Sequence, residues 1–316
     1  MVSLNTGDLL YIKSEIKDTN IRIAFCASNS SRTIVTLKRT KHGVIANLNP
    51  KVNLKLENCE SNKPIAINEN HLTELQENYK DTTPKIEAEY VRAVYDTIAN
   101  HWSSTRYKPW PKVENFIKEN CKKCDIIADI GCGNGKYLKC APNGTFILGS
   151  DTSLNLLNLC LNKIEKSKQI IELFVGDVIA LPIKDDACNI VLSIAVLHHL
   201  STEKRRVSAI KEMIRILKPG GLMLVYVWSQ EQEEKSSRKF PNQDMLVPWH
   251  FSDSMKYKED EKYITEKNYE PKHGYRIESK RSTVLQRYCH LYKHGELESL
   301  FEKLDGCEPI KSYFDC

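Results

Sequence analysis

Ala128-Asp-Ile-Gly-Cys-Gly-Asn-Gly-Lys136 is the stretch that decides the fold. With Ile126 and Ile127 before it, it reads as an apolar strand closing on Asp129, a glycine-rich turn, and the start of a helix. Gly131, Gly133 and Gly135 let the backbone turn tightly and come close to a ligand. The spacing is G-x-G-x-G, whereas a dinucleotide fingerprint would set its third glycine where Lys136 stands. An acid just before the loop would repel a pyrophosphate and suits a ligand with a cationic amino group. Asp151 closes the next strand, 20 positions after Gly131, where it can accept both ribose hydroxyls of an adenosine. Asp177, in Gly176-Asp-Val178, closes the third strand and could accept the adenine amino group. Acids at three successive strand ends point into the crevice at the switch point of a parallel sheet.

The rhythm around this core agrees. Phe146-Ile-Leu-Gly-Ser-Asp151, Ile171-Glu-Leu-Phe-Val175, Asn189-Ile-Val-Leu-Ser-Ile-Ala-Val196 and Leu222-Met-Leu-Val-Tyr-Val-Trp228 read as further strands. Helices are marked by Leu154, Leu157, Leu161 and Ile164, and by Val207, Ile210, Ile214 and Leu217, the latter stopped at Pro219-Gly-Gly221. Near-continuous apolar strands alternating with amphipathic helices imply an α/β domain whose sheet is covered on both faces. Upstream, Val91, Val94, Tyr95, Ile98 and Trp102 give a helix ended by Ser103-Ser-Thr-Arg-Tyr-Lys-Pro-Trp-Pro111.

The domain is expected over 85–316. Residues 1–80 look different. Leu9-Leu-Tyr-Ile-Lys13, Ile21-Arg-Ile-Ala-Phe25 and Thr33-Ile-Val-Thr-Leu37 read as short strands and 47–62 as loop, a partly ordered β-rich appendage of unknown function. About 231–282 is dense in Lys, Glu and Asp and reads as a charged, mobile insertion. Its island Asp244-Met-Leu-Val-Pro-Trp-His250 is too apolar to be simply loop.

Composition sets bounds. Of 316 residues, 41% are hydrophobic and 28% charged, ordinary for a globular protein. No apolar run would span a bilayer and no secretory signal is visible, so no membrane partner is expected. The 11 cysteines are odd in number and scattered, which fits reduced thiols in the cytosol or nucleus. A net charge of +5 permits an RNA partner without demanding one. Cys121 and Cys124 form a lone C-x-x-C with no further ligands at zinc spacing, so no metal is expected.

At the glycine loop the chain resembles a Rossmann-like class I methyltransferase. Five blocks narrow the resemblance: Glu89 to Pro111, Ser193 to Arg206, Tyr226 to Gln232, Val247-Pro-Trp-His250 and Gln286 to Leu297. Over about 85–316 the chain is similar to the tRNA wobble-uridine carboxymethyl methyltransferases, which include yeast-type enzymes and half of an animal AlkB-homologue fusion. The resemblance implies S-adenosyl-L-methionine as cofactor and esterification of 5-carboxymethyluridine in the tRNA anticodon loop as the reaction. It also implies a small zinc-binding methyltransferase activator as partner. Val178 and Ala195 join Asp129, Gly131, Gly133, Gly135, Asp151 and Asp177 as the expected cofactor-binding set. The implied sheet is mainly parallel and seven-stranded in type. The block that precedes its last strand resembles Ser312-Tyr-Phe-Asp315, and the chain ends at Cys316, so that strand is expected to be missing. Residues 1–80 have no His-x-Asp pair for the iron of a dioxygenase. A catalytically inactive relative, or a methyltransferase acting on a small-molecule acid, is the alternative reading.

A carboxylate nucleophile is already ionised at neutral pH, so no strong general base is needed. The protein must hold the carboxylate, orient it and exclude water. Arg106, in the proline-rich segment, is the first candidate for this, because a guanidinium fork matches a carboxylate. His198 and His199 follow the fourth strand, where the base should enter. Trp110 and Trp249 are candidates to stack on a base, and Arg205 and Arg206 to meet phosphate. Each has a plainer reading: solvated loop for Arg106, core packing for the rings, surface ion pairs for the two helix arginines.

Overall fold

The protein is described here from a computed structural model, which covers residues 37–40, 43–46, 65–66, 83–164, 169–232, 239–252, 274–277 and 282–314. The expected strands at 9–13 and 21–25 and the loop at 47–62 lie outside them, as does all of the expected strand at 33–37 except Leu37. In the N-terminal part, β1 (Leu37–Thr40) and β2 (Gly43–Ala46) form an antiparallel pair, and β3 is Ile65–Ala66.

The central sheet has five strands, all parallel: β4 (Ile126–Ile130), β5 (Phe146–Asp151), β6 (Ile170–Val175), β7 (Cys188–Ile194) and β8 (Leu217–Tyr226). Their order is β6-β5-β4-β7-β8, so the chain reverses direction beside β4, and the ends of β4, β5 and β7 open on one crevice. This is the Rossmann-like α/β arrangement, with five strands of the seven-stranded type among the described residues. Helices α1 (Lys85–Glu87), α2 (Ala93–Thr105), α3 (Pro111–Asn120), α4 (Leu154–Ile164), α5 (Glu203–Ile216) and α6 (Glu296–Glu302) accompany it. A π-helical turn, Ala88–Arg92, joins α1 to α2. Pro111 is pre-set for the first turn of α3, and the Thr202 hydroxyl caps α5 by accepting from Arg205 N at 3.3 Å.

Strand alternation builds two cores. Ile190 and Leu192 pack with Val113 and Ile117 of α3 and with Leu157 and Cys160 of α4. Val191, between them, faces Ala209, Ile210, Met213 and Ile216 of α5. The helix expected to run to Leu217 stops one residue earlier, and Pro219-Gly-Gly221 lies inside β8 at a break in its pairing with β7.

The expected insertion at 231–282 is replaced in part by structure. β9 (Asp244–Ser252) and β10 (Gly274–Ile277) join β11 (Ser282–His290) and β3 in an antiparallel sheet ordered β10-β11-β9-β3. The apolar island is β9, which pairs with β11 along its whole length. Every residue of β11 is buried. Trp249 and Leu285 pack on Val94 and Ile98 of α2, and Leu246 and Tyr288 on Ile86 and Tyr90. The segment 85–105 is thereby clamped between the second sheet and the mouth of the first. The eight cysteines among the described residues are free, and no described helix is long and apolar enough to cross a membrane.

Candidate active site

The glycine loop has the expected form. Gly131, Gly133 and Gly135 have φ of +79°, +54° and +72°. A Cβ on Gly131 would lie 2.2 Å from Val196 Cγ2, so the position lacks both the conformation and the room for a side chain. Gly131 N and Cys132 N donate to Ser150 O at 2.7 and 2.8 Å, and Gly133 N donates to Asp151 Oδ2 at 2.9 Å. Ala195, just beyond β7, adopts φ +65°, a backbone strain for a residue with a Cβ and a mark of functional sites.

Asp129 is buried and its Oδ2 has no hydrogen-bond partner. An orphaned carboxylate oxygen at the crevice wall fits a ligand's ammonium group. Burial pushes this carboxyl up to about 7, and Lys136 pulls it partly back. Lys136 itself is pushed down to about 8 by burial, with its Nζ 4.6 Å from the Trp110 ring centre. Asp151 also accepts from Ser153 N at 2.9 Å, and burial raises it to about 6. Each of its oxygens keeps a lone pair for a hydroxyl donor.

Asp177 already has partners within the protein. Its Oδ2 accepts from Arg92 at 2.5 Å and Arg205 at 3.0 Å, and its Oδ1 accepts from Ile179 N at 3.3 Å. It anchors two cations, and any adenine amino group must share an oxygen with them. Val178 is buried beside it.

The other candidates divide into groups. His198, His199, Trp249 and Arg106 converge, and the second sheet brings them together. His199 Nδ1 lies 2.8 Å from Tyr288 O and Nε2 lies 3.0 Å from Tyr95 Oη. Only one tautomer satisfies both: Nδ1–H donates to the carbonyl and Nε2 accepts the tyrosine proton. Burial and the nearby Arg287 push His199 down to about 4, against that carbonyl bond. His198 is buried against the Trp228 ring, accepts from Trp228 N at 3.3 Å, and is also held neutral by burial. Both rings are neutral at pH 7, and neither supplies a cation for an anionic substrate. Trp249 Nε1 donates to His101 Nδ1 at 2.9 Å, and the exposed Arg106 guanidinium lies 5.4 Å from its ring centre.

Trp110 stands apart from that cluster, caps α3, and packs 5.7 Å from Tyr226 on the loop side of the crevice. The placement of Arg205 and Arg206 at the mouth is corrected. Arg205 is gripped by Glu87 through both carboxylate oxygens at 3.0 Å and by Asp177. Arg206 is buried, donates to Leu200 O at 3.0 Å and lies 4.0 Å from Glu296. These side chains tie elements together, and neither offers a free cation to phosphate.

Three residues beside these candidates carry no local signal in the sequence: Tyr95 on α2, Arg287 on β11, and Asn134 of the loop, whose amide donates to Ser103 Oγ at 3.0 Å and Arg106 O at 3.4 Å. Asn134 thereby sets where Arg106 sits. His198, His199 and Cys289 also gather their polar atoms within 4.8 Å, but His199 Nδ1 is already committed to a carbonyl.

Residues 128–225 match a family model described as a methyltransferase domain. The chain is 34% identical over 267 residues to the tRNA (carboxymethyluridine(34)-5-O)-methyltransferase of Xenopus tropicalis, covering 73% of this chain and 40% of that one. It is 47% identical over 155 residues to the Arabidopsis thaliana protein of the same activity name, covering 49% and 36%. To the Schizosaccharomyces pombe protein of that name it is 38% identical over 223 residues, covering 70% of this chain and 90% of that one. The chain thus spans well under half of the first two relatives and nearly all of the third.

Proposed function

The chain belongs to the family of tRNA carboxymethyluridine methyltransferases, and on that premise we propose that it methylates the carboxylate of 5-carboxymethyluridine at the tRNA wobble position. The observation that carries this is the unpartnered, buried Asp129 oxygen beside the glycine turn, a cradle for the cationic S-adenosylmethionine. Bound there, that cofactor supplies a methyl group activated by its sulfonium. Asp129 would take its ammonium and Asp151 its ribose hydroxyls, and the loop's peptide groups could come close because no side chain intervenes. The substrate carboxylate brings its own electron pair, and no proton has to move.

The test is single-turnover methylation of an anticodon stem-loop carrying 5-carboxymethyluridine, with labelled methyl donor. The label should enter the nucleoside and leave as methanol in mild alkali, as an ester must. Transfer of an alkali-stable label, or none at all, overturns the reading.

The partner we infer from the family resemblance, a small zinc-binding activator, is assigned to the edge of the central sheet. Among the described residues β6 pairs only with β5 and ends the sheet, and Ile170 at its start is 52% exposed. An open, apolar strand edge invites addition of a partner strand. Co-expression with such an activator should raise soluble yield several-fold, and Ile170→Lys should abolish the gain. A gain that survives Ile170→Lys moves the partner elsewhere.

A further inference from the structure

Arg287 is 4% exposed, and among the described residues no carboxylate lies within salt-bridge distance of it. Arg92, Arg205, Arg206 and Arg215 each have such a partner within 4.0 Å. The Arg287 guanidinium is walled by Trp249, Trp228 and Tyr95, with ring centres 4.8, 5.8 and 6.0 Å away. Its one protein hydrogen bond among the described residues runs from Nη1 to Tyr95 Oη at 3.3 Å, and Nε–H has no acceptor. A buried cation without a counter-ion is a costly arrangement for a fold to keep. Aromatic faces offset part of that cost and fix the plane of the fork, but they satisfy none of its donors.

The site adjoins the cofactor crevice. The Tyr95 ring lies 6.2 Å from that of Trp102, and Trp102 is the side chain a Cβ on Gly133 would meet at 3.1 Å. The same Tyr95 hydroxyl donates to His199 Nε2, so Arg287, Tyr95, His199 and the Tyr288 carbonyl form one fixed chain of hydrogen bonds. That chain leaves Nε–H and Nη2 unclaimed on one edge of the guanidinium.

The geometry points to Arg287 as the residue that holds the substrate carboxylate, presenting two parallel N–H donors within an aromatic box. This rests on the proposed reaction and names the anchor for its nucleophile. Arg106, exposed near the same Trp249 ring, is then a mouth residue. Tyr95 is a positioning residue, because it acts through the guanidinium.

Binding of two anticodon stem-loops to the full chain, with S-adenosylhomocysteine present, tests this. One stem-loop carries 5-carboxymethyluridine, the other the uncharged, equally shaped 5-carbamoylmethyluridine. The wild-type protein should prefer the acid on the order of 10- to 100-fold. Arg287→Gln should erase that preference and keep affinity for the amide within about threefold, since one charged contact alone is lost. Tyr95→Phe, which removes the hydroxyl that Nη1 leans on and keeps the ring, should weaken the preference severalfold. A preference intact in Arg287→Gln overturns the assignment, and so does an equal loss for both stem-loops. If Arg287→Gln does not fold, an unchanged preference in Tyr95→Phe overturns it. A wild-type protein that neither prefers nor methylates the acid overturns the proposed reaction, whereas methylation with an unaffected Arg287→Gln overturns this inference alone.

Discussion

Gly131→Val is expected to abolish S-adenosylmethionine binding, with no heat detectable by calorimetry. Two terms act together. Valine disfavours the left-handed φ of +79° that the turn requires. Its Cβ would also fall 2.2 Å from Val196 Cγ2, so the loop or the segment after β7 must shift. Either shift moves Ala195 or the loop peptides, which form opposite walls of the crevice. Asp129→Asn is the milder companion. It keeps shape, removes charge, and should weaken binding by about 1.5–3 kcal/mol, or roughly 10- to 150-fold. The free Asp129 carboxyl, raised to about 7, is mostly protonated at pH 6. A cationic ligand selects the ionised form, so affinity should fall as pH drops below 7, approaching tenfold per unit, with a proton released on binding. In Asp129→Asn the part of this dependence centred near 7 should disappear, leaving that of Asp151 near 6. Near-wild-type affinity in both variants would remove the crevice from the cofactor assignment.

The cofactor side of the site was legible because it is local. A strand end, three glycines and two acids lie within 129–151, and their spacing constrains the backbone directly. The aromatic cluster around Arg287, where the substrate carboxylate is proposed to sit, was not. Tyr95, His199 and Arg287 meet across 104 and 192 residues of chain, through an antiparallel sheet that no short-range pattern announces. The Asp244–His250 island signalled buried structure, but its partner, β11, was read only as a family block. Arg106 was reached from its proline-rich setting, which identifies a loop and says nothing of depth. Arg287 is 4% exposed, with no local mark beyond an arginine in a strand between Gln286 and Tyr288. The error over Arg205 and Arg206 has the same cause. A basic pair opening a helix looks solvated until Glu87, 118 residues away, is placed against it.

That placement gives the largest stability effect expected. Glu87 is buried, accepts from Ser201 N at 2.7 Å and Ser201 Oγ at 2.9 Å, and pairs with Arg205 through both oxygens. Arg205 passes the connection to Asp177, and Arg92 joins from the π-helical turn. Five segments, α1, the π-helical turn, the turn after β7, α5 and the turn after β6, therefore meet on one network centred on the buried Glu87. Burial pushes the Glu87 carboxyl up while Arg205 draws it down. Glu87→Ala removes one charge and strands both the Ser201 amide and half of the Arg205 fork. The cost should be about 3–5 kcal/mol, lowering Tm on the order of 10 °C for a domain of this size. Removing the second charge as well should restore part of it. Glu87→Ala with Arg205→Met should melt above Glu87→Ala alone, because a guanidinium that has lost Glu87 and keeps only Asp177 is then no longer held in the interior. Simple additivity of the two losses would show that the pair is not coupled. The same variants separate structure from substrate contact. Arg205→Met should leave the salt dependence of tRNA binding unchanged, since a guanidinium held by two carboxylates releases no counter-ions from phosphate. A slope reduced by about one unit would instead return Arg205 to the tRNA-binding face.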